Sequence, residues 1–261
     1  MCEPLYANMI LLLDIGNSNT HFGLGDARRV VRNAEIPTTS WAAQTAKAKF
    51  KKFVGNARLE GAILCSVVPK ATASALKMIK GLWNLHGLEL TPKTLRCVGI
   101  DYPRPDTIGP DRLANAVAVR VHFGAPSVVI DFGTAVTVDV VNREGNFAGG
   151  IIAPGLAAMT EYLHEKTALL PKIRIRETRS VIGKSTKEAM NIGAVHGYPG
   201  LIRALVQNVK QELAIRRLPI VATGGYARLV ARKLPEITQV QPLLTLEGIR
   251  LVWHAHHQAR K

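Results

Sequence analysis

The chain has 261 residues, 47% of them hydrophobic, enough to bury one large core or two moderate ones and pointing to a soluble, two-lobed protein. No apolar run approaches the roughly eighteen residues a membrane helix needs, and the stretch from Met9 to Leu13 is cut short by Asp14, so it reads as a strand and not as a signal peptide. The formal charge of +15 raises the question of nucleic acid. The basic residues are spread out, however, with modest groups at 47–52, 172–179 and 228–233. Aromatics are few, and zinc-finger spacing and an arginine-rich tail are both missing, so the reading is a solvated basic surface that also favours anionic ligands. The cysteines, Cys2, Cys65 and Cys97, are odd in number and lack CxxC spacing. They suggest neither a zinc site nor a disulfide framework, but buried or indifferent thiols in a reducing cytoplasm.

In chain order, the apolar run Met9 to Gly16 predicts a strand ending on Asp-x-Gly, followed by a second β-rich segment from Thr20 to Leu24. A helical pattern covers Trp41 to Val54, a strand Gly61 to Val68, and further helices Lys70 to Leu85 and Pro110 to Phe123. Gly124 and Pro126 then interrupt the helical pattern, and Ser127 to Gly133 repeats the first design: an apolar strand ending on Asp-x-Gly, with a partner at Ala135 to Val141. Beyond it lie helical patterns at Leu156 to Ala168 and Thr186 to Leu213, the latter with a break at Pro199, and strands at Pro219 to Thr223 and Gln239 to Leu243. The recurrence of the same hairpin half a chain later suggests duplication. The expectation is an α/β fold with mixed sheets in two related lobes, residues 1–123 and 124–261.

The sharpest local signal is Asp14-Ile-Gly-Asn-Ser-Asn-Thr20, where a strand delivers a carboxylate into a turn of Gly, Asn and Ser. Such a turn can aim backbone N–H groups at phosphate oxygens while the acid holds a magnesium ion or its waters. A plain hairpin turn would look the same in isolation. The second Asp-x-Gly, Asp131 to Gly133 with Thr134 behind it, favours the phosphate reading, because one such turn per lobe builds a cleft closing on a polyphosphate. A third piece, Val221-Ala-Thr-Gly-Gly-Tyr226, runs from a strand into a Gly pair where a nucleotide could approach the backbone. In the middle of the chain, Asp101-Tyr-Pro-Arg-Pro105 precedes Ile108-Gly-Pro-Asp-Arg-Leu-Ala-Asn-Ala116, with Pro110 suited to a first helical position and Asp111 in the first turn. An aspartate there is also a common helix stabiliser.

This trio of turns, in this order, resembles the actin-like ATPase and sugar-kinase superfamily. With the Gly109 to Asn115 block, Tyr102, Gly149-Gly-Ile-Ile-Ala-Pro-Gly155, Thr167-Ala-Leu-Leu-Pro171, Ile182-Gly-Lys-Ser-Thr186 and Thr223-Gly-Gly225, almost the whole chain is similar to type III pantothenate kinase. The family more often carries Ala at the position of Pro110 and Thr at that of Ser18; both departures are mild, since Pro fits a helix start and Ser keeps the hydroxyl.

The resemblance implies two duplicated actin-like (ribonuclease H-like) lobes with mixed sheets flanked by helices and an ATP cleft between them. It implies ATP-dependent phosphorylation of pantothenate to 4'-phosphopantothenate in coenzyme A biosynthesis, by a cytoplasmic homodimer. Asp14, Ile15, Gly16, Asn17, Ser18, Asn19, Thr20 and His21, with Thr134, would bind ATP, and Asp14 would lie near its Mg2+. Asp111 would accept the proton of the pantothenate hydroxyl. Tyr102, Gly109, Pro110, Asp111, Arg112 and Thr186 would hold pantothenate, and Asp131 would ligate a monovalent cation, K+ or NH4+. Phosphoryl transfer needs mainly positioning, charge neutralisation and one proton acceptor, which this set provides.

Other features read as structural. Gly183-Lys-Ser-Thr186 imitates the end of a P-loop, but Thr178 stands where that pattern requires its first glycine. Ser185 with Glu188 reads as a capping box. His254, His256 and His257 read as a solvated tail rather than a metal site. The two Asp-x-Gly turns by themselves equally permit a sugar or acyl-phosphate kinase, or a noncatalytic ATP-binding regulator; the Gly109 to Asn115 block argues against the first, and the presence of Asp111 and Asp131 against the second.

Overall fold

A computed structural model describes residues 9–43 and 45–258. Cys2 and position 44, within the helical pattern Trp41 to Val54, lie outside these residues. The described chain forms two compact units, one comprising the residues up to His122 with those from Leu243 onward, the other Phe123–Pro242.

The first unit is built on a sheet of order β3-β2-β1-β4-β5, from β1 (Met9–Ile15), β2 (Asn19–Gly25), β3 (Val30–Pro37), β4 (Leu59–Ser66) and β5 (Gly87–Glu89). Strand β1 is central and its continuous apolar run is buried on both faces, as a strand between two layers must be. It pairs antiparallel with β2 and parallel with β4. On one face, Leu11, Leu13 and Ile15 pack with Phe22, Leu24 and Ile36 against helices α1 (Thr39–Ala42), α2 (Ala46–Val54) and α3 (Pro69–Trp83). Helix α2 contributes Ala46, Phe50 and Val54 at helical spacing, while Lys51 and Lys52 in its last turn suit the negative end of its dipole. A short strand β6 (Gly99–Ile100) leads to α4 (Pro110–Phe123).

The helix Leu244–Gln258 also belongs to this unit and packs on β1 and β4. Two corrections follow. The expectation of a second lobe running from 124 to 261 takes in a helix that packs in the first unit. The histidines expected on a solvated tail instead lie on this helix: Ile249, Val252, Trp253 and His256 form a buried stripe at spacings of three and four, with His256 only 9% exposed. The closeness of the packing is set by two glycines. A methyl on Gly61 would overlap the Trp253 ring, and one on Gly248 would overlap the Ala114 backbone.

The second unit repeats the topology. Strands β7 (Ser127–Phe132), β8 (Ala135–Val141) and β9 (Asn146–Pro154) form an antiparallel meander, and β7 continues in parallel to β10 (Ile220–Thr223) and then β11 (Gln239–Val240). The order β9-β8-β7-β10-β11 thus matches β3-β2-β1-β4-β5 strand for strand. Its core joins Ile130, Phe132, Val136 and Val138 to Tyr198, Ile202 and Val206. The helices are α5 (Leu156–Lys166), α6 (Thr186–Ile192), α7 (Tyr198–Glu212) and α8 (Ala227–Ala231). The break expected at Pro199 falls one turn earlier, as the π-helical segment Gly193–Gly197, and Pro199 sits in the first turn of α7. Pro199 has no N–H to offer the preceding turn, and a wider turn flanked by two glycines absorbs the loss. Among the described residues, no helix is long and apolar enough to cross a membrane.

Candidate active site

In the first unit, β1 ends by presenting Asp14, half-buried, just before the turn of Gly16, Asn17 and Ser18. The turn is closed by the Gly16 N–H donating to the Asn19 carbonyl at 3.0 Å. It is braced from the end of β3: the Thr38 N–H donates to the Ser18 carbonyl at 2.9 Å and the Thr38 hydroxyl to the Gly16 carbonyl at 2.7 Å. Behind it, the buried Thr20 hydroxyl is shared with Thr38 at 3.1 Å and accepts from the Trp41 indole N–H at 3.0 Å. Asn17, Ser18 and Asn19 are exposed, while the side chains of Ile15 and Thr20 are fully buried. The expected ATP-binding run therefore divides into an exposed turn able to meet a ligand and two side chains that hold the turn in place. His21 is exposed on β2, 3.4 Å from Glu35.

Helix α4 opens on Gly109, whose carbonyl accepts from the Arg112 N–H at 3.0 Å, with Pro110 in the first helical position. The Arg112 N–H lies 2.9 Å from Asp111 Oδ1. A Cβ on Gly109 would stand 2.5 Å from that same oxygen, so glycine there makes room for the carboxylate. Burial raises the Asp111 carboxyl above its ordinary value, and the N–H and charge of Arg112 offset part of the rise. Tyr102 lies exposed in the loop before the helix.

Cys65 ties these elements together. It sits opposite Asp14 in the β1–β4 register, is 1% exposed, and its thiol donates to Asp14 Oδ1 at 3.3 Å. Burial pushes the thiol well above its ordinary value, and the negative charges of Asp14 and Asp111 push it further. Asp14 is thus hydrogen-bonded to this buried sulfur, and the charge of Asp111 reaches it as well. The sequence reads Cys65 as a buried or indifferent thiol, and it is buried; its strand was legible, but the register that sets it beside Asp14 was not.

In the second unit, Asp131 is half-buried near the end of β7, level with Thr223 on β10. Gly224 follows at φ +88°, and a Cβ there would stand 2.5 Å from Asp131 Oδ1 and 2.7 Å from the Phe132 backbone. The second Asp-x-Gly turn is closed by the Gly133 N–H donating to the Ala135 carbonyl at 3.1 Å, and Gly155 donates to the Thr134 carbonyl at 3.1 Å. Thr134 is exposed. Thr186, also exposed, opens α6. The Ser185 hydroxyl caps that helix, accepting from the Glu188 N–H at 3.3 Å, while the Glu188 carboxylate reaches back to the Lys184 N–H at 2.7 Å, a capping box shifted by one residue.

These donors fit the ions that such chemistry uses. Asp14 offers a hard carboxylate oxygen beside an exposed turn, the setting in which Mg2+ is held with a nucleotide's phosphates. Around Asp131, glycine at 224 lets the chain pass close to the half-buried carboxylate, whose hard oxygens suit a monovalent cation.

A family profile described as type III pantothenate kinase matches residues 10–208. A type III pantothenate kinase of Methylacidiphilum infernorum is 45% identical over 244 residues, covering 93% of this chain and 87% of the relative. One from Akkermansia muciniphila is 42% identical over 243 residues, covering 92% and 96%. Among solved structures, a Campylobacter jejuni protein described as a Baf family transcriptional activator superimposes with a TM-score of 0.62 at 20% identity, over 95% of this chain and 99% of that one. An inorganic polyphosphate/ATP-glucomannokinase from Arthrobacter superimposes with a TM-score of 0.52 at 12% identity, over 97% and 100%. At these identities the structural likeness establishes the fold, that of actin-like ATPases and sugar kinases.

Proposed function

The chain belongs to the type III pantothenate kinase family, and on that premise we propose how its residues divide the work. Its reaction is the ATP-dependent phosphorylation of pantothenate to 4'-phosphopantothenate in coenzyme A biosynthesis.

Asp111 takes the proton from the pantothenate hydroxyl as that oxygen attacks the γ-phosphorus of ATP; the bond from the γ-phosphorus to the β,γ-bridging oxygen breaks, and ADP leaves. The observation that carries this reading is the start of α4, where Gly109 leaves room for the largely buried Asp111 carboxylate, whose charge reaches Cys65, the hydrogen-bond partner of Asp14. The raised carboxyl of Asp111 suits a general base, because it makes the carboxylate a better proton acceptor than an ordinary aspartate. The turn from Asp14 to His21 receives the ATP phosphates through its exposed residues, and Thr134 does so from the second Asp-x-Gly turn. Asp14 would hold the Mg2+ that comes with ATP, directly or through its waters, and that ion would supply charge neutralisation. Gly109, Pro110 and Arg112 at the start of α4, with Tyr102 and Thr186, hold pantothenate, and the Arg112 guanidinium suits its carboxylate. Asp131 would hold K+ or NH4+, a role supported by its half-buried carboxylate near the end of β7, beside the Thr223–Gly224 turn.

The enzyme works as a cytoplasmic homodimer. Exposed apolar side chains in the second unit, among them Ile152 at 62%, Leu169 at 89% and Ile182 at 77%, support pairing with a second copy. The assignment is tested by ADP release from MgATP with pantothenate or a panel of sugars, each in potassium and in sodium buffer. Turnover that requires pantothenate and K+ together supports both the substrate and the cation reading. Turnover with a sugar instead would discard the substrate, and equal rates in the two buffers would discard the cation role of Asp131.

A further inference from the structure

We infer that Cys65 is a positioning residue for nucleotide binding: its thiol hydrogen bond fixes the orientation of the Asp14 carboxylate that faces MgATP. The inference rests on the reading of Asp14 as the carboxylate nearest the metal.

The geometry follows from the sheet. In the parallel β1–β4 ladder, Asp14 and Cys65 are directly paired, so their side chains rise from the same face at neighbouring positions. The 3.3 Å separation from Sγ to Oδ1 is a normal length for a sulfur donor. Cys65 is enclosed on a strand between two packed layers, so it has little freedom to swing away, whereas Asp14 stands at a strand end beside an exposed turn. An enclosed donor paired with a carboxylate at an open edge holds one oxygen and thereby sets where the carboxylate points. Groups that orient a metal-side ligand in this way commonly change affinity by about 10- to 100-fold when removed. A thiol is a weak donor, which puts the expected effect near the lower end of that range.

The test compares Cys65→Ser, Cys65→Ala, Cys65→Val and Asp14→Asn with the wild type. It uses MgATP binding by titration calorimetry, steady-state KM for MgATP, kcat, and thermal melting. Serine keeps a donor in place; alanine and valine remove it, and valine fills the buried space in case alanine loosens the strand. The expected result is MgATP binding weakened about tenfold in the alanine and valine variants, a matching rise in KM with a smaller change in kcat, and near-complete rescue by serine. Wild-type affinity in a folded alanine or valine variant, with Asp14→Asn impaired, would overturn the inference while leaving Asp14 in its role. An equal loss in serine, alanine and valine variants would also overturn it, since packing rather than the hydrogen bond would then be responsible. Undiminished MgATP binding by Asp14→Asn would remove the premise and the inference with it.

Discussion

The hydroxyl of Thr245 donates to the side-chain oxygen of Asn115 at 2.9 Å, joining two buried residues 130 positions apart. Asn115 lies one helical turn after Asp111 on α4, and Thr245 opens the helix Leu244–Gln258. The candidate base is therefore held at the end of a helix whose next turn is pinned from the far end of the sequence. Thr245→Val keeps the shape and removes the donor, so it should lower stability by about 1–2 kcal/mol. Urea unfolding measures this; an unchanged midpoint would mean that the contact contributes nothing to anchoring α4.

Gly224 stands at φ +88° with the space of a Cβ filled by Asp131 Oδ1 and the Phe132 backbone. Gly224→Ala should therefore either displace the Asp131 carboxylate or strain the loop, costing about 1–3 kcal/mol. The functional readout is potassium activation: the variant should need more K+ for half-maximal rate. A wild-type potassium response in a folded Gly224→Ala enzyme would argue against a cation at Asp131.

The raised Asp111 carboxyl gives a signed pH prediction. A carboxyl whose folded value lies above its unfolded one contributes stability below the unfolded value, near 3.9, and loses that contribution as pH rises through the folded value. At neutral pH the ionised Asp111 therefore weakens the fold relative to acid. Asp111→Asn cannot ionise, so its melting temperature relative to wild type should climb as pH is raised from about 4 to about 7. The acidic limb of the wild-type rate profile should lie above the ordinary aspartate range. A melting-temperature difference that falls with rising pH would contradict the burial of this charge.

Glu247 gives the opposite sign. Burial alone would raise its carboxyl, but the hydrogen bonds and charges of Arg250 and His122 outweigh burial and hold it below its ordinary value. Arg250, almost fully buried, also donates to the Ala27 carbonyl at 2.8 Å, so this network ties the last helix to the β2–β3 turn. The stabilisation is present above the unfolded value and lost as pH falls through the folded one. Glu247→Gln should destabilise by about 1–3 kcal/mol at neutral pH, with the difference from wild type vanishing on acidification, as measured by denaturation at several pH values.

Much of this was legible in the sequence because the signals were local. The run from Met9 to Asp14 and its echo at Ser127 to Asp131 specify buried strands ending in an acid, and both open hairpins. Pro110 marks the start of α4 to the residue. Strands β3 and β9 were harder: β3 alternates weakly at an exposed edge, and β9 carries two glycines at positive φ, Gly149 and Gly150, in place of a β-branched run. The helix Leu244–Gln258 was hidden because its histidines and arginine look like a polar tail, although Ile249, Val252 and Trp253 mark its buried stripe. Cys65 and Thr38 became visible only through register, which no single-segment pattern encodes.

The measurement that bears most directly on the central claim is formation of 4'-phosphopantothenate by wild type and Asp111→Asn, with MgATP binding determined in the same preparations. The account predicts that the variant binds MgATP close to normally while its turnover number falls by about 100-fold or more. A folded Asp111→Asn enzyme that phosphorylates pantothenate at the wild-type rate would contradict it.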